Sequence, residues 1–328
     1  MDVCINGGQD KAYTWEMKEA EKTARILVIK PSSLGDIIQM LQVMEGCFYA
    51  AQSKGMCWKI HWVVRDCFAD FLRLSPVISK LLLFERSSGF CAFCRLIQEI
   101  RSEFYDWVVD GQGLLRSGLM TGFARANHKI GRRDAREGSR FFYQQTYAPK
   151  THHPHALERL QALLTPLEVN SSPARPLSLS LPPWHFNFDE GAILLFPNSR
   201  GPKKEWPFFR ELTALLLKKT PYTCVWVGQK PIGEELNHPR FVNLIGETSL
   251  PDLPLLIQSA RCVVANDSAP IHLAAALKRP LVGIYGPTDG VIYGPYPTKE
   301  HCVLQAPGGN LMQLTPQVVE NAVMQQLQ

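Results

Sequence analysis

Short apolar runs alternate with longer amphipathic stretches along most of the chain. The first run, residues 25–30, reads RILVIK, and its β-branched residues are typical of a strand buried in a parallel sheet. A short turn over 31–36 follows, and the apolar pattern then predicts a helix over about 37–51. Strand, tight turn and helix in this order predict a βα unit.

The same order recurs on both sides of a proline-rich segment. In the first half, strands are predicted at 61–64, 80–84 and 107–110, and helices at 93–103, 114–126 and 155–165. Five prolines then fall within residues 165–183 and indicate a linker. In the second half, strands are predicted at 192–196, 223–227, 240–244, 261–265 and 280–285, and helices at 207–219, 269–278 and from 315 onwards.

Two βαβ series joined by a linker predict an α/β protein with two facing Rossmann-like, doubly wound domains. Ligands of such sheets collect outside the carboxyl ends of the strands, so the crevice between the domains is the expected site. The expected parts are a disordered N-terminal extension (1–22), a first domain (23–170), the linker (171–185), a second domain (186–310) and a C-terminal helix (311–328) that could cross back to the first domain.

Charge and cysteine content limit the classes of function. Nine Lys and Arg residues face three Asp and Glu between Arg116 and Arg159, which indicates either an anionic partner or a solvated basic face. No apolar stretch reaches the roughly 20 residues of a membrane span. An odd count of nine cysteines without a secretory signal predicts reduced thiols in a cytoplasmic protein. The lone Cys91-x-x-Cys94 pair is weak evidence for a metal or redox site.

The first turn carries a carboxylate at the mouth of a helix. The segment Ser32-Ser33-Leu34-Gly35-Asp36 follows the first strand directly, and it is neither a dinucleotide fingerprint nor a phosphate-binding P-loop. Asp36 could remove a proton from a hydroxyl held in the crevice, as a general base does. It could equally cap the helix. Position alone leaves the two interpretations open.

Two segments of the second half have a composition suited to a nucleoside diphosphate. After strand 261–265, Asp267 could accept hydrogen bonds from sugar hydroxyls, and the small residues Ser268 and Ala269 let a phosphate approach the backbone. His272 is either a phosphate donor or a core histidine. Lys204 precedes a Trp-Pro helix start and could neutralise a leaving diphosphate. The chain has no Asp-x-Asp pair suited to hold Mg²⁺, which favours a metal-independent transferase without a cofactor.

These segments together resemble the lipopolysaccharide heptosyltransferase family. The matching motifs, in order and spacing from about residue 24 to the end, are Ser32-Ser33-x-Gly35-Asp36, Lys204-x-Trp206-Pro207, Asp267-Ser268-x-x-x-His272-Leu273-x-x-Ala276-Leu277 and Tyr285-Gly286-Pro287-Thr288-Asp289. Two further segments are similar to the heptosyltransferase I branch, namely Asp110-x-Gln112-Gly113-Leu114 with Arg116-Ser117, and Ala306-Pro307-Gly308 followed by Gln313-Leu314-Thr315. The chain departs from the family at Gln39, where a histidine is common.

The resemblance implies a glycosyltransferase B-type fold, with acceptor bound by the first domain and nucleotide sugar by the second. It implies inverting transfer of L-glycero-D-manno-heptose from ADP-heptose to a Kdo sugar on lipid A, with Asp36 as the base and Lys204 beside the pyrophosphate. The implied donor-binding residues are Ser199, Arg200, Glu234, Thr248, Asp267, Ser268, Ala269 and His272. The implied acceptor-binding residues are Ser33, Gly35, Gln112, Gly113, Arg116, Arg136 and Arg159.

Other functions stay open beside this one. The acceptor could be another core sugar or a protein hydroxyl, or the chain could bind a nucleotide sugar without catalysis. A nicotinamide-dependent dehydrogenase is disfavoured because the glycine fingerprint is missing. A nucleic-acid partner is not expected, and cytoplasmic work at the inner face of the membrane, with peripheral contact to it, stays open.

Overall fold

Two six-stranded parallel sheets form the framework of the computed structural model, which describes residues 22–152, 154–169, 175–233 and 236–328. The first sheet has the order β3-β2-β1-β4-β5-β6, with β1 Lys22–Ile29, β2 Met56–Arg65, β3 Ile78–Phe84, β4 Phe104–Asp110, β5 Arg125–Arg132 and β6 Gln145–Tyr147. The second has the order β12-β11-β10-β7-β8-β9, with β7 Ile193–Phe196, β8 Cys224–Trp226, β9 Phe241–Asn243, β10 Cys262–Asn266, β11 Leu281–Tyr285 and β12 Cys302–Gln305.

Ten α-helices connect and cover these strands in the part of the chain that the structure describes. In the first half they are α1 Leu34–Gln52, α2 Ala69–Arg73, α3 Gly89–Arg101, α4 Leu115–Phe123 and α5 Ala156–Leu164. In the second half they are α6 Phe209–Lys219, α7 Asp252–Ser259, α8 Ala269–Ala276, α9 Gly290–Tyr293 and α10 Pro316–Gln326. The two sheets confirm the predicted α/β class with two doubly wound halves.

Strand β1 shows why the apolar runs become central strands. Residues 26–29 are fully buried, and alternate side chains enter different cores: Ile26 and Val28 pack with α1, whereas Leu27 and Ile29 pack with residues of α3 and α4. A strand covered on both faces needs a continuous apolar run. The register places Ile29 opposite Val63 of β2 and Asp110 of β4, so the turns that follow these strands gather at one edge of the sheet.

Several elements differ from the predictions. Strands β5, β6 and β12 and helix α7 were not predicted, and the helix expected over 114–126 ends at Phe123, where β5 begins two residues later. The expected N-terminal extension lies outside the described residues except Lys22, which begins β1. Part of the expected linker, residues 171–174, also lies outside them.

The two halves are packed together along α1 and α8. Buried side chains of both helices belong to one apolar cluster that includes residues of both sheets. The segment after the described gap bonds to both halves, since Leu177 N donates to Ala276 O at 2.8 Å and Ser180 N donates to Leu74 O at 2.7 Å. The C-terminal helix α10, which could have crossed to the first domain, packs on α6 and the second sheet. Among the described residues, no helix combines the length and apolarity that crossing a bilayer requires.

Candidate active site

A cavity of about 750 Å³ opens between the two domains, at the carboxyl ends of both sheets. Its wall from the first domain includes Ser33, Gly35, Asp36 and Gln39. Its wall from the second domain includes Asn198, Ser199, Arg200, Lys204, Lys230, Thr248, Asp267, Ser268, Ala269 and His272. Asp36, predicted as the base, and Lys204, predicted beside the pyrophosphate, therefore face the same space.

Asp36 occupies the first turn of α1. Its Oδ2 atom accepts hydrogen bonds from Ser33 N at 3.0 Å and Ser33 Oγ at 2.5 Å, so the capping interpretation is correct. Capping uses one carboxylate oxygen, and the side chain is still 48% exposed. Asp36 thus caps its helix and presents a carboxylate to the cavity, which leaves the general-base interpretation as a prediction.

Lys30, at the end of β1, lies beneath this carboxylate. Its side chain is 4% exposed, and its Nζ atom lies 3.7 Å from Asp36 Oδ1. Burial raises the pKa of Asp36, but the Lys30 charge and the Ser33 hydrogen bonds outweigh burial and hold that pKa below its usual value. Burial also lowers the pKa of Lys30, against the opposing effect of Asp36. Sequence reasoning missed Lys30, which it treated as the last residue of a strand.

The turn after β4 is ordered by Asp110, which is fully buried. Asp110 Oδ1 accepts from the backbone N atoms of Gln112 at 2.8 Å and Gly113 at 2.9 Å, and Oδ2 accepts from the Tyr143 hydroxyl at 2.6 Å. Burial raises the pKa of Asp110 despite these hydrogen bonds. Gln112 Oε1 in turn accepts from Ser32 N at 3.4 Å, so this turn supports the Asp36 loop from the side.

In the second domain, an ion pair joins Lys204, predicted to lie beside the pyrophosphate, to Asp267, a predicted donor-binding residue. Lys204 Nζ lies 2.5 Å from Asp267 Oδ2, with the lysine side chain 36% exposed and the aspartate 11% exposed. Buried Asn266 fixes the two loops that carry them, because its Oδ1 accepts from Trp206 N at 3.0 Å and its Nδ2 donates to Pro197 O at 2.6 Å. Ser199 Oγ donates to Asp267 O at 3.1 Å.

His272 of α8 bridges the two domains inside the cavity. Its Nδ1 atom lies 3.2 Å from Gln39 Nε2 of α1. The backbone of Gly35 comes so close that a Cβ atom there would lie 2.8 Å from His272 Cδ2. Burial lowers the pKa of His272 to about 4, so the imidazole is neutral at neutral pH. The histidine therefore belongs to the domain contact and to the cavity wall at the same time.

The predicted acceptor-binding residues divide into two groups. Ser33 and Gly35 line the cavity, whereas Gln112 and Gly113 stand behind it in the turn described above. Arg159 is half-buried and lies 3.6 Å from Asp134, which also pairs with Arg132 at 2.6 Å. Arg132, not singled out from the sequence, contributes its charge to the surroundings of Asp36 and Lys30.

Three predicted residues stand apart from the cavity wall or from the described chain. Arg116 and Arg136 are exposed at the surface and do not line the described part of the cavity. Glu234 lies outside the described residues. Among described side chains, no cluster of three or more His, Cys, Asp or Glu residues is arranged to hold a metal ion.

Known proteins include relatives of this chain over most of its length. Residues 93–321 match the model of glycosyltransferase family 9 (heptosyltransferase). Lipopolysaccharide heptosyltransferase 1 of Escherichia coli K12 is 29% identical over 325 residues, covering 90% of this chain and 98% of that protein. The enzyme of the same name from Pseudomonas aeruginosa is 27% identical and covers 83% of this chain and 81% of that protein.

Solved structures give the same result. E. coli heptosyltransferase WaaC with ADP superposes with a TM-score of 0.77 at 25% identity, covering 92% of this chain and 99% of that chain. The complex of WaaC with ADP-2-deoxy-2-fluoro heptose superposes with a TM-score of 0.76. The resemblance seen in the sequence and the predicted glycosyltransferase B-type fold are confirmed.

Proposed function

Because the chain belongs to glycosyltransferase family 9, the heptosyltransferase family, we propose that it transfers heptose from ADP-heptose to a Kdo residue of the lipopolysaccharide inner core. We propose further that transfer inverts the configuration of the sugar carbon and takes place in the cytoplasm, at the inner face of the membrane. The relatives support the donor and the core pathway, since they include heptosyltransferases 1 and 2 and ADP-bound structures.

The observation that carries the proposal is the opposition of Asp36 and Lys204 across one cavity. In the proposed step, Asp36 accepts the proton of the acceptor hydroxyl as that oxygen forms a bond to the anomeric carbon. The bond from the same carbon to the β-phosphate oxygen breaks, and ADP leaves with the electron pair. Asp36 holds the acceptor oxygen on the first domain, and the second domain holds the departing β-phosphate oxygen. The two oxygens therefore lie on opposite faces of the sugar, and the configuration of the anomeric carbon is inverted.

The surroundings of Asp36 suit a base. Its lowered pKa keeps the carboxylate ionised at neutral pH, ready to accept a proton. Lys30, buried beneath it, compensates its charge without filling the cavity. The usual contribution of such a base is roughly 10²–10⁴-fold in rate.

The surroundings of Lys204 suit the leaving group. In the proposed complex, Lys204 turns from Asp267 to the β-phosphate and stabilises the negative charge that accumulates as ADP leaves. Asp267 is then free to accept hydrogen bonds from heptose hydroxyls. The backbone N–H of Ala269, the first residue of α8, is available to the same phosphates, whereas Pro270 has no N–H and Ile271 N donates to Ser268 O. No metal ion is required in this scheme, since the charges come from the chain itself.

The experiment is a transfer assay with ADP-heptose and a defined Kdo–lipid A acceptor, read by ADP release and by the mass of the product. We expect one heptose per acceptor and no ADP release without acceptor. Asp36→Asn should retain an acceptor atom for Ser33 yet be unable to take a proton, and it should reduce kcat at least ~100-fold. Asp66→Ala removes an exposed carboxylate beyond the neighbouring strand β2 and should leave kcat unchanged.

Each contrary outcome has a distinct meaning. Near-normal turnover by Asp36→Asn would reject Asp36 as the base. Transfer to a heptose-bearing core sugar but not to Kdo would reject the acceptor and keep the chemistry. Binding of ADP-heptose without any product, across Kdo, core-sugar and protein acceptors, would favour a non-catalytic binder.

A further inference from the structure

The most exposed large apolar side chain of the described residues is that of Phe141, which is 92% exposed. It belongs to a helical turn over Ser139–Phe142 that packs on α4. The next residue, Phe142, holds this turn in place, because its ring lies where a Cβ atom of Gly122 would approach it to 2.5 Å. An aromatic ring is therefore held out into solvent by a turn whose neighbouring residue is firmly packed.

Three arginines without ion-pair partners among the described residues lie in this turn, just before it or in the helix on which it packs. Arg116, Arg136 and Arg140 are exposed, and within the described chain their side chains make no hydrogen bond or ion pair. The nearby acids are already engaged: Glu137 accepts from Leu115 N at 3.1 Å, and Asp134 accepts from Arg132 at 2.6 and 2.8 Å. Asp134 is paired with Arg132, so the three arginines face one uncompensated acid, Glu137, and this surface is positive.

We name these side chains the Phe141 surface: Leu115, Arg116, Arg136, Arg140 and Phe141. Leu115, 44% exposed, adds a second apolar group at the start of α4. The combination is unlike the scattered single apolar residues of an ordinary surface, because apolar and cationic groups alternate within one turn of helix and one short turn. This combination of cationic and apolar side chains is complementary to a surface with negative charges on the outside and hydrocarbon below them.

The Phe141 surface is coupled to the candidate active site by backbone hydrogen bonds. Arg136 N donates to Gly113 O at 2.9 Å, and Ser139 N donates to Arg136 O at 3.0 Å. Gly113 is next to Gln112, whose side chain accepts from Ser32 N beside the Asp36 loop. Both regions follow the carboxyl ends of strands in the first sheet. The Phe141 surface thus lies at the same edge of the first sheet as the Asp36 loop.

We propose that the Phe141 surface docks the protein on an anionic lipid bilayer. The arginines bind lipid phosphates, and the Phe141 ring enters the boundary between headgroups and acyl chains. This proposal rests on the proposed function, in which the acceptor is anchored in a membrane. Binding to vesicles can nevertheless be measured in the absence of acceptor and of heptose transfer. In this arrangement Arg116 and Arg136, predicted to bind the acceptor sugar, contact the lipid headgroups around it.

The test is co-sedimentation of the full chain with vesicles of phosphatidylcholine that contain about one quarter phosphatidylglycerol, with no glycolipid present. Phe141→Ser should lower the vesicle partition coefficient roughly tenfold, because binding scales with the apolar area inserted. Arg140→Gln should lower it roughly fivefold, and added salt should weaken binding of the parent. Phe141→Ser should still turn over a deacylated, water-soluble acceptor at the parent rate.

Two matched control positions lie at the amino ends of β4 and β5, whereas the Phe141 surface lies on segments that follow their carboxyl ends. Phe104, 48% exposed, begins β4, and its register partner Arg125 begins β5. Phe104→Ser and Arg125→Gln should bind vesicles like the parent. All four substitutions are at exposed positions, so thermal unfolding should be unchanged and a folding defect is separable from lost docking.

Three results would overturn the proposal. One is equal loss of vesicle binding in the Phe141 and Phe104 variants. Another is equal binding of the parent to neutral and anionic vesicles, or none to either. The third is a Phe141-dependent dimer in solution, which would assign the surface to a second copy of the chain. A protein that docks on vesicles but transfers no heptose would reject only the proposed function.

Discussion

A buried ammonium and a half-exposed carboxylate make up the centre of the Asp36 loop. The sequence predicted Asp36, because a carboxylate at a strand-to-helix turn is visible in a single segment. It did not predict Lys30, since a lysine at the end of an apolar run has no chemical signature, and the proximity of Lys30 to Asp110 depends on the pairing of β1 with β4, 80 residues apart. Non-local register is not encoded in any short pattern.

The first residue-scale prediction concerns Lys30→Met. Removing the ammonium leaves burial as the largest influence on Asp36, so the pKa of Asp36 should rise. The acidic limb of the kcat/KM profile against pH should therefore move to higher pH. Lys59→Met, at an exposed lysine of β2, is the control and should leave the profile unchanged. A profile that does not move would mean that Lys30 has no influence on the base.

The second concerns the pH dependence of stability through His272. Its pKa of about 4 lies below the usual value, so the unfolded chain takes up a proton at higher pH than the folded chain does. Stability from this group is complete above about pH 6.5 and falls as the pH approaches 4. From pH 7 to 5 the free energy of unfolding should drop by about 2 kcal/mol from His272 alone.

Urea unfolding of the parent and of His272→Gln at both pH values isolates this contribution. Other buried histidines, such as His155, occur in both proteins and cancel in the comparison. The variant should lose less stability on acidification than the parent by the amount stated above. Parallel losses in the two proteins would show that His272 binds its proton equally in the folded and unfolded states.

At the scale of elements, the strands that the sequence predicted are those rich in apolar residues. The central strands β1, β4, β7 and β10 are buried apolar runs, and all four were predicted. Strand β5 reads RANHKIGR, in which the side chains before Ile130 are largely exposed, so its pattern does not alternate and the preceding helix was extended into it. Strand β12 lies at a sheet edge, and it is half-buried except for Gln305, which is exposed. Such strands form because the neighbouring strands of the sheet supply backbone hydrogen bonds. The residues of the strand itself give no sign of this pairing.

The prediction at the scale of elements concerns Gly35, at the contact between α1 and α8. Helix propensity favours Ala over Gly by about 1 kcal/mol inside a helix. Gly35→Ala should nevertheless lower the free energy of unfolding, because its Cβ atom would collide with His272 at 2.8 Å. It should also reduce turnover, since the collision displaces the Asp36 loop from the second domain.

A double-mutant cycle separates the collision from other effects. The His272→Ala substitution removes the ring, so Gly35→Ala should cost little or become stabilising in that background. The coupling free energy from urea unfolding should be about 1–3 kcal/mol, the cost of overpacking. A coupling near zero would mean that the helices separate freely and that Gly35 is not needed for their approach.

At the scale of the whole molecule, the candidate site is formed by two domains, of which the first supplies Asp36 and the second supplies Lys204. The linker and the proline pattern predicted the two halves, and the family motifs predicted that both contribute. How the halves meet was not predictable, because it depends on packing between α1 and α8 and on the hydrogen bonds of Leu177 and Ser180 to opposite domains. These contacts join residues about 100 or more positions apart along the chain.

This division of labour predicts that donor binding and catalysis can be separated by mutation. ADP at a hundred times its Kd should raise the free energy of unfolding of the parent by about 2.7 kcal/mol. Asp36→Asn should keep this gain, because in the proposed complex the first domain contacts the acceptor and not the ADP. Lys204→Gln should lose most of it, since the diphosphate then lacks its cation and faces Asp267 unneutralised.

Lys203→Gln is the matched control for this prediction. Lys203 is exposed and adjacent to Lys204 in sequence, but it does not line the described cavity. Thermal unfolding with and without ADP should therefore show the same gain in Lys203→Gln as in the parent. Equal losses in the two lysine variants would indicate diffuse attraction to a basic loop. Loss in Asp36→Asn as well would indicate that ADP binds only when both domains close on it, so that binding and catalysis are one event.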